Sequence, residues 1–500
     1  VFETPGQSIC TADATVHSVS HLVELPIKID GETVPFPVRI FEQLGQPLLL
    51  GMDFIRRFEL SINFDELRQG DRSSQSEPFS HNTCLISHHD LSREQLVEVE
   101  RIASALKELA APASDGGLRA TPLVEHRIVL TPGALPVKQR VRPVSAPVQK
   151  ELSDQLDKML RDGVVEPSNS PWCSPLVLQK KKDGSFRLCH DARRINELTV
   201  ADAYPVPNMT GILDMLRGAR YISSIDLRSA FFQIPLEVES RPITAFCVPN
   251  RGLFQFKRMP FGLKNSGASF QRMIDSVIGY DLQPNAFSYL DDLIIVTDNW
   301  DDHVRILDEI VRRLKDANLT VNFEKCELFR QRLTFLGYVV GPNGLEACPS
   351  KVRAISEFPR MKSVREVRRF LGLASYYRRF VPNFSKVAGP LSNLLRKNQK
   401  FNWTLDCERA FAAIKDRLTS APVLAVPDFT RPFTLQTDAS IDGLGAILSQ
   451  QFPEGEKVIA YASRTLTPAE KKFSIIELEC LAVIWGVKRM RQYLENTSFT

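Results

Sequence analysis

No apolar run in the 500 residues approaches the roughly 18 that a bilayer-spanning helix requires, and no signal-peptide pattern opens the chain. The nine cysteines (Cys10, Cys84, Cys173, Cys189, Cys247, Cys326, Cys348, Cys407 and Cys480) include no Cys-x-x-Cys pair. The chain is too long for a small disulfide scaffold, so free thiols in an intracellular protein are expected. Histidine is sparse and dispersed, His88-His89 being the only adjacent pair, which leaves no zinc pattern. Charge of one sign is also missing overall: a net +4 says nothing of partners, so charge can act only locally. Hydrophobic content is not lacking. At 43% it supplies globular cores, excludes disorder as the default, and fits about three to four domains at this length.

The chain is organised around Phe287-Ser288-Tyr289-Leu290-Asp291-Asp292-Leu293-Ile294-Ile295-Val296. Two carboxylates between β-favouring apolar runs predict a strand, a tight turn carrying Asp-Asp, and a returning strand. Solvated turn chemistry would also explain the pair, because Asp is favoured in turns. A third carboxylate, Asp226, ends a second apolar strand, Tyr221–Leu227. Hard oxygen ligands on neighbouring strands suit Mg²⁺, which takes one or two carboxylates and fills its shell from water and phosphate. Two such ions about 3.5–4 Å apart stabilise the attacking and leaving oxygens of a phosphoryl transfer.

Tyr289-Leu290-Asp291-Asp292 resembles the signature of reverse transcriptases. Met259-Pro260-Phe261-Gly262-Leu263-Lys264-Asn265 with Phe270-Gln271, and Phe335-Leu336-Gly337-Tyr338, resemble the form found in Ty3/gypsy-type retrotransposon Pol polyproteins. The resemblance spans roughly residues 125 to 500. It implies an α/β (α+β) multidomain chain with a right-hand polymerase of fingers, palm and thumb. A partial retropepsin-like β domain would precede it and a partial RNase H-like domain would follow. The expected boundaries are 1–66 for the C-terminal part of the protease and 67–120 for a linker. Fingers and palm would occupy 121–345, thumb and connection 346–425, and the N-terminal part of RNase H 426–500. The start at Val1 and the stop at Thr500 within an apparent domain are expected of a fragment of a longer polyprotein.

The resemblance also implies site residues. Asp226, Asp291 and Asp292 would hold two Mg²⁺ ions, with Mn²⁺ as the alternative. Leu176–Leu188 carries Asp183-Gly184, a strong hairpin signal, and matches the fingers hairpin that closes over a triphosphate. Lys181 and Arg187 would be its phosphate ligands, with Lys180 and Lys182 open as alternatives to Lys181. A solvated hairpin tip is the ordinary reading of the same cations. Phe231 would pack against the sugar and exclude a 2′-hydroxyl, although an aromatic there is ordinarily core. Gly262 supplies a permissive turn before a helix beginning near Ser266, and Gln271 would contact nucleotide and template. Asn265-Ser266-Gly267 replaces the family's more usual Asn-Ala-Pro, which implies a looser start to that helix. Phe335–Val340 matches the primer grip and equally fits an ordinary buried strand.

Residues 346–400 hold thirteen Lys and Arg against three Glu. Val364, Val367, Phe370, Leu371 and Ala374 form one helical stripe, leaving Arg365, Arg368 and Arg369 outside it. Such an excess fits a thumb tracking a nucleic-acid backbone better than a merely solvated face. Phe433–Ser440 and Tyr461–Arg464 are similar to the opening of an RNase H domain, with Asp438 and Glu479 as partial metal ligands and Glu477 as competitor to Glu479. A third carboxylate is expected on a strand beginning at Ser498-Phe499-Thr500, so polymerisation without RNA cleavage is expected of this stretch. Leu48–Phe54 resembles the closing segment of aspartic proteases, but neither Asp-Thr-Gly nor Asp-Ser-Gly occurs, so that part is expected to be inactive.

The resemblance thus implies an RNA-directed DNA polymerase with dNTPs, an RNA template, a DNA primer, RNA–DNA hybrid and the rest of Pol as partners. It would act in the cytoplasm, in virus-like particles. A catalytically degenerate nucleic-acid-binding module and a DNA-templated repair polymerase are the competing readings.

Overall fold

The computed structural model describes the backbone of the strands within residues 1–40 and residues 91–500 apart from 114–115, 141–143, 181–185, 217–219 and 398. The side chains of Lys180 and Arg187 are likewise not described. The chain divides into two units, Val1–His81 and Asn82–Thr500. In the first, β1 (Phe2–Glu3), β4 (His21–Ile29) and β5 (Glu32–Ile40) form one sheet, and β2 (Ser8–Cys10) pairs with β3 (Val16–Ser18). Ile29 of β4 is the register partner of Glu32 of β5. Leu48–Phe54 lies outside the described residues.

The second unit begins with α1 (Arg93–Ala110) and α2 (Ala146–Arg161). The fingers-side strands are β6 (Val165–Pro167), β7 (Leu176–Lys180) and β8 (Phe186–His190). A short α3 (Met209–Met215) leads into β9 (Tyr221–Asp226), then β10 (Phe246–Val248) and β11 (Gly252–Phe256). The central part continues with α4 (Ser266–Ile278), β12 (Ala286–Tyr289), β13 (Asp292–Thr297), α5 (Trp300–Asp316) and β14 (Glu327–Arg330). Next come β15 (Leu333–Phe335), β16 (Tyr338–Gly341), β17 (Gly344–Ala347) and the helices α6 (Val364–Tyr376) and α7 (Leu405–Thr419). The last segment holds β18 (Phe433–Ala439), β19 (Gly443–Phe452), β20 (Gly455–Thr465), α8 (Ile475–Arg489) and α9 (Arg491–Leu494).

The stretch 67–120, expected to be a linker, is not one throughout. Within it α1 starts with Ser92 and Gln95 in a reciprocal capping box, which satisfies two otherwise orphaned amides. Val99, Ile102, Leu106 and Leu109 recur at helical spacing, and all are buried in the same core as the palm strands. Arg101 grips Asp308 of α5 with two bonds of 2.7 Å. Composition around the helix reads as connector, whereas its apolar stripe packs as core.

The palm sheet runs β12-β13-β9-β14, so β9 is central and paired on both sides. Ile225, Leu293 and Ile295 on one face share a core with helices α4 and α5, whose buried stripes include Phe270, Ile274, Ile306 and Ile310, while Ile222, Ile294 and Val296 on the other face belong to a second core. His303 of α5 is fully buried and bonds Ser223 of β9 at 2.8 Å and Thr297 of β13 at 3.0 Å. Burial pushes its imidazole down to about 3, so it stays neutral and ties helix to sheet.

A second core joins β15–β17 to α6 and α7. In α6, Val367, Phe370, Leu371 and Ala374 are buried, while Arg365, Arg368 and Arg369 are exposed, as the periodicity predicts. Beyond it, β18-β19-β20 form a sheet against which α8 packs so closely that a Cβ on Gly486 would lie 2.9 Å from Thr437. Phe499 makes a parallel bridge to Phe433, a single pairing where a strand is expected at Ser498–Thr500. Asp214 of α3 is nearly buried and accepts bonds from Arg379 at 3.0 Å and Tyr493 at 2.6 Å, joining palm, thumb and the last segment. Among the described residues, no helix is long and apolar enough to cross a membrane.

If α1 is core rather than connector, Leu106→Ala should lower unfolding stability by about 2–4 kcal/mol. Val97→Ala, on the exposed face, should stay within about 0.5 kcal/mol. Denaturant unfolding of both variants measures this, and equal small losses would return α1 to the linker.

Candidate active site

Strand pairing brings the carboxylates together. Asp292 is the register partner of Asp226, and Tyr289 of Asp292, which leaves Leu290-Asp291 as a two-residue turn. Leu290 takes φ +54°, the left-handed region usually left to glycine at such a turn position. Gln271 of α4 compensates, since its Oε1 accepts the Leu290 N–H at 2.9 Å. The same amide donates to Asp275 at 2.7 Å and Ser288 at 3.0 Å, and the side chain is fully buried. Gln271 is therefore a brace beneath the turn, and the expected direct contact with nucleotide is not what this geometry offers. Nothing in the local sequence distinguishes the two uses, because only tertiary packing shows where the amide points.

A pocket of about 140 Å³ opens beside the pair, lined by Asp226, Asp292, Lys325, Glu327, Thr334, Phe335 and Leu336 among others. Burial pushes the Asp292 carboxyl up to about 6, and the neighbouring Asp291 and Asp226 push the same way, with Lys325 opposing. Lys325 Nζ lies 3.4 Å from Asp226 Oδ2. The lysine is two-thirds exposed, so this pair is weak. The pocket is thus short of positive charge, and its hard oxygen donors fit a divalent cation of the Mg²⁺ type. Among the described residues, no three His, Cys, Asp or Glu side chains converge tightly enough to hold an ion alone. Lys325 escaped notice in the sequence because it reaches Asp226 only through the pairing of β14 with β9.

Phe231 sits in a 3₁₀ turn after Ser229 and is half-buried, edge-on to Phe261 and Phe270 at centroid distances of 5.0 and 5.5 Å. Two aromatics therefore fix its ring while part of it stays accessible. Start of α4 at Ser266 is as expected, and it is not loose: Asn265 accepts the Asp202 N–H at 3.1 Å and donates to Val200 O at 2.8 Å. At Gly262, φ is +96° and a Cβ would meet His190 O at 3.0 Å, so the turn demands glycine. Arg187 lies on β8 opposite Gln179, whereas Lys181 and Lys182 fall outside the described residues. Asp438 and Glu479 are both exposed, the former on β18 and the latter on α8 seven residues before the Gly486 contact. Glu477 is committed elsewhere: it closes a capping box with Ser474, whose N–H lies 2.7 Å away and holds the carboxyl below its usual range.

The fold and the sequence are similar to those of known proteins. The fold is that of right-hand polymerases. A foamy viral protease-reverse transcriptase in complex with dsDNA is 25% identical, with a TM-score of 0.73, covering 81% of this chain and 84% of that one. A foamy viral protease-reverse transcriptase solved with RNA/DNA hybrid has a TM-score of 0.72 at 22% identity, over 99% of this chain and 65% of that one. The reverse transcriptase (RNA-dependent DNA polymerase) family matches residues 179–340, and the RNase H-like domain found in reverse transcriptase matches 403–500. The chain is 40% identical to the retrovirus-related Pol polyprotein from transposon opus of Drosophila melanogaster over 72% of its length and 37% of the relative's. It is 38% identical to that from transposon gypsy of the same fly, over 72% and 36%. A Tf2 transposon polyprotein of Schizosaccharomyces pombe is 30% identical over 75% and 28%. The chain thus carries a reverse transcriptase domain and an RNase H-like domain, and its homologues are Pol polyproteins of gypsy and other LTR retrotransposons. It spans well under half the length of these relatives.

The raised Asp292 value has a consequence for stability. Between about pH 4 and pH 6 the folded chain holds this proton more tightly than the unfolded chain, so its contribution is lost as pH rises through about 6. Asp292→Asn should therefore be more stable than the parent near neutral pH in EDTA, by about 1–2 kcal/mol after allowing for partial exposure. The gap should close below about pH 4. Urea unfolding across pH measures it, and equal stability at neutral pH would mean the carboxylates are not crowded.

Proposed function

We propose that this chain extends a primer 3′-hydroxyl with dNTPs on an RNA or DNA template. The observation that carries the reading is Asp292 held opposite Asp226 with Asp291 in the adjoining turn, beside a pocket short of positive charge. Asp226 and Asp291 would hold two Mg²⁺ ions, or Mn²⁺, with Asp292 in support. Bound there, the ions would activate the 3′-hydroxyl and neutralise the leaving pyrophosphate. The protein's own part is positioning. The β9–β13 register fixes the carboxylates, and Gln271 fixes the turn between them.

Around this centre, Arg187 with Lys181, or its neighbours Lys180 and Lys182, would take the triphosphate. Phe231, braced by Phe261 and Phe270, would stand against the sugar. The exposed Arg365, Arg368 and Arg369 would follow the duplex backbone. The related foamy viral proteins were solved with dsDNA and with RNA/DNA hybrid, which supports these as partners here. Asp438 and Glu479 would be partial ligands of a second metal site, with no RNA cleavage expected of this stretch by itself. The protein would work as part of a larger Pol polyprotein.

Asp291→Asn should fold and bind primer–template as the parent does, while nucleotide addition falls by at least about 10²–10³-fold. A primer-extension assay with purified protein checks it, and near-parental extension would remove Asp291 from the chemistry. Separately, Phe231→Val should raise ribonucleotide use relative to dNTP by roughly 10-fold or more. Unchanged discrimination in competition assays would return Phe231 to the core.

A further inference from the structure

Between β15 and β16 the chain turns at Leu336-Gly337, two consecutive residues in the left-handed region, with φ +47° and +77°. Leu336 lines the same pocket as Asp226 and Asp292. A leucine at positive φ is strained and persists only where its surroundings hold it. What holds it is the C-terminal end of the thumb helix α6. Tyr376 Oη donates to Leu336 O at 2.5 Å, and Tyr377 Oη donates to Gly337 O at 2.6 Å. In return, Tyr338 Oη donates to Tyr376 O at 3.1 Å, and its ring stacks on Tyr376 at 5.3 Å. Glycine suits position 337 because of its positive φ, and a Cβ there would still only touch Tyr376 Cε1 and Oη at 3.4 Å. Burial pushes the pKa of all three phenols up, that of Tyr338 to about 12, so they remain donors at any working pH. Tyr289 of the carboxylate hairpin also stands close enough to Tyr376 to disfavour its ionisation.

Two adjacent side chains on one helix thus hold two adjacent carbonyls of a turn at the edge of the carboxylate pocket. We propose that the Tyr376 and Tyr377 hydroxyls are the link by which the thumb sets the position of the Leu336-Gly337 turn, and with it the primer end, against Asp226 and Asp291. They are positioning residues that touch neither substrate nor metal. The exposed arginines of the same helix would grip duplex, so a shift of α6 on binding would be carried to the turn through these two bonds. This rests on reading the pocket as the polymerisation site.

The test is the double variant Tyr376→Phe, Tyr377→Phe in the full chain, which keeps both rings and removes both donors. It should unfold somewhat below the parental temperature, because two bonds that hold a strained turn are lost, yet bind labelled primer–template within about two-fold, because the arginines are untouched. Single-turnover nucleotide addition at saturating dNTP should fall about ten-fold, since small misplacements of reacting groups are costly in rate. Hydrogen exchange supplies a readout independent of chemistry. Duplex should slow exchange of the 336–339 amides in the parent, and that protection should be lost in the double variant. An unchanged addition rate, a loss that merely follows weaker duplex binding, or equal protection in both proteins would overturn the link. If the parent fails to extend primers at all, the polymerase reading fails, and the exchange comparison then decides the link by itself.

Discussion

Carboxylates facing each other across adjacent strands repel, and much of the palm serves to keep Asp226 and Asp292 there. Asp226 ends the central strand, which is paired on both sides and cannot retreat without breaking two ladders. His303 bonds that strand through Ser223 and its neighbour through Thr297. The turn is held from beneath by Gln271, which offsets the cost of a leucine at positive φ. Among the described residues, relief of the repulsion comes weakly, from an exposed lysine. A site that opposes its own charges in this way gains most from a bound cation, and this is the physical link between fold and chemistry.

The same economy recurs around the pocket. Turns with unfavourable backbone are stabilised by single, well-aimed polar groups from neighbouring elements: Gln271 at Leu290, and the paired tyrosines at Leu336 and Gly337. Buried bonds also join the regions that flank the site. Asp214, Arg379 and Tyr493 connect α3, the segment after α6 and α9, so palm, thumb and the RNase H-like segment share one polar contact. Removing any one partner would leave a buried group unpaired, which is costly.

Much of this was legible in the sequence. Alternation and turn chemistry placed β12, β13 and β9, because each strand is short, apolar and bounded by polar residues. The stripe of α6 and its outward arginines followed from helical period. Whether α1 belonged to the core was not legible, since its polar flanks carry the compositional signal of a linker while its partner α5 lies about two hundred residues away in sequence. The bonds of Gln271 to the turn were not legible for a related reason, since an amide on an amphipathic helix can point to substrate or to a strained turn, and only packing shows the latter. Lys325 and the two tyrosine hydroxyls were invisible because each acts across strands or helices distant in sequence. The Glu477 and Glu479 alternatives separate once the Ser474 cap is seen to take Glu477.

The central claim is that the β9–β13 register builds a cation-dependent polymerisation site. It is tested most directly by crystallising the protein with Mn²⁺, a 3′-dideoxy-terminated primer on its template, and the matching dNTP, then recording anomalous scattering. The account predicts manganese peaks between the Asp226 and Asp291 carboxylates and the triphosphate. Ordered dNTP with no peak at these residues, or peaks only near Asp438 and Glu479, would contradict it.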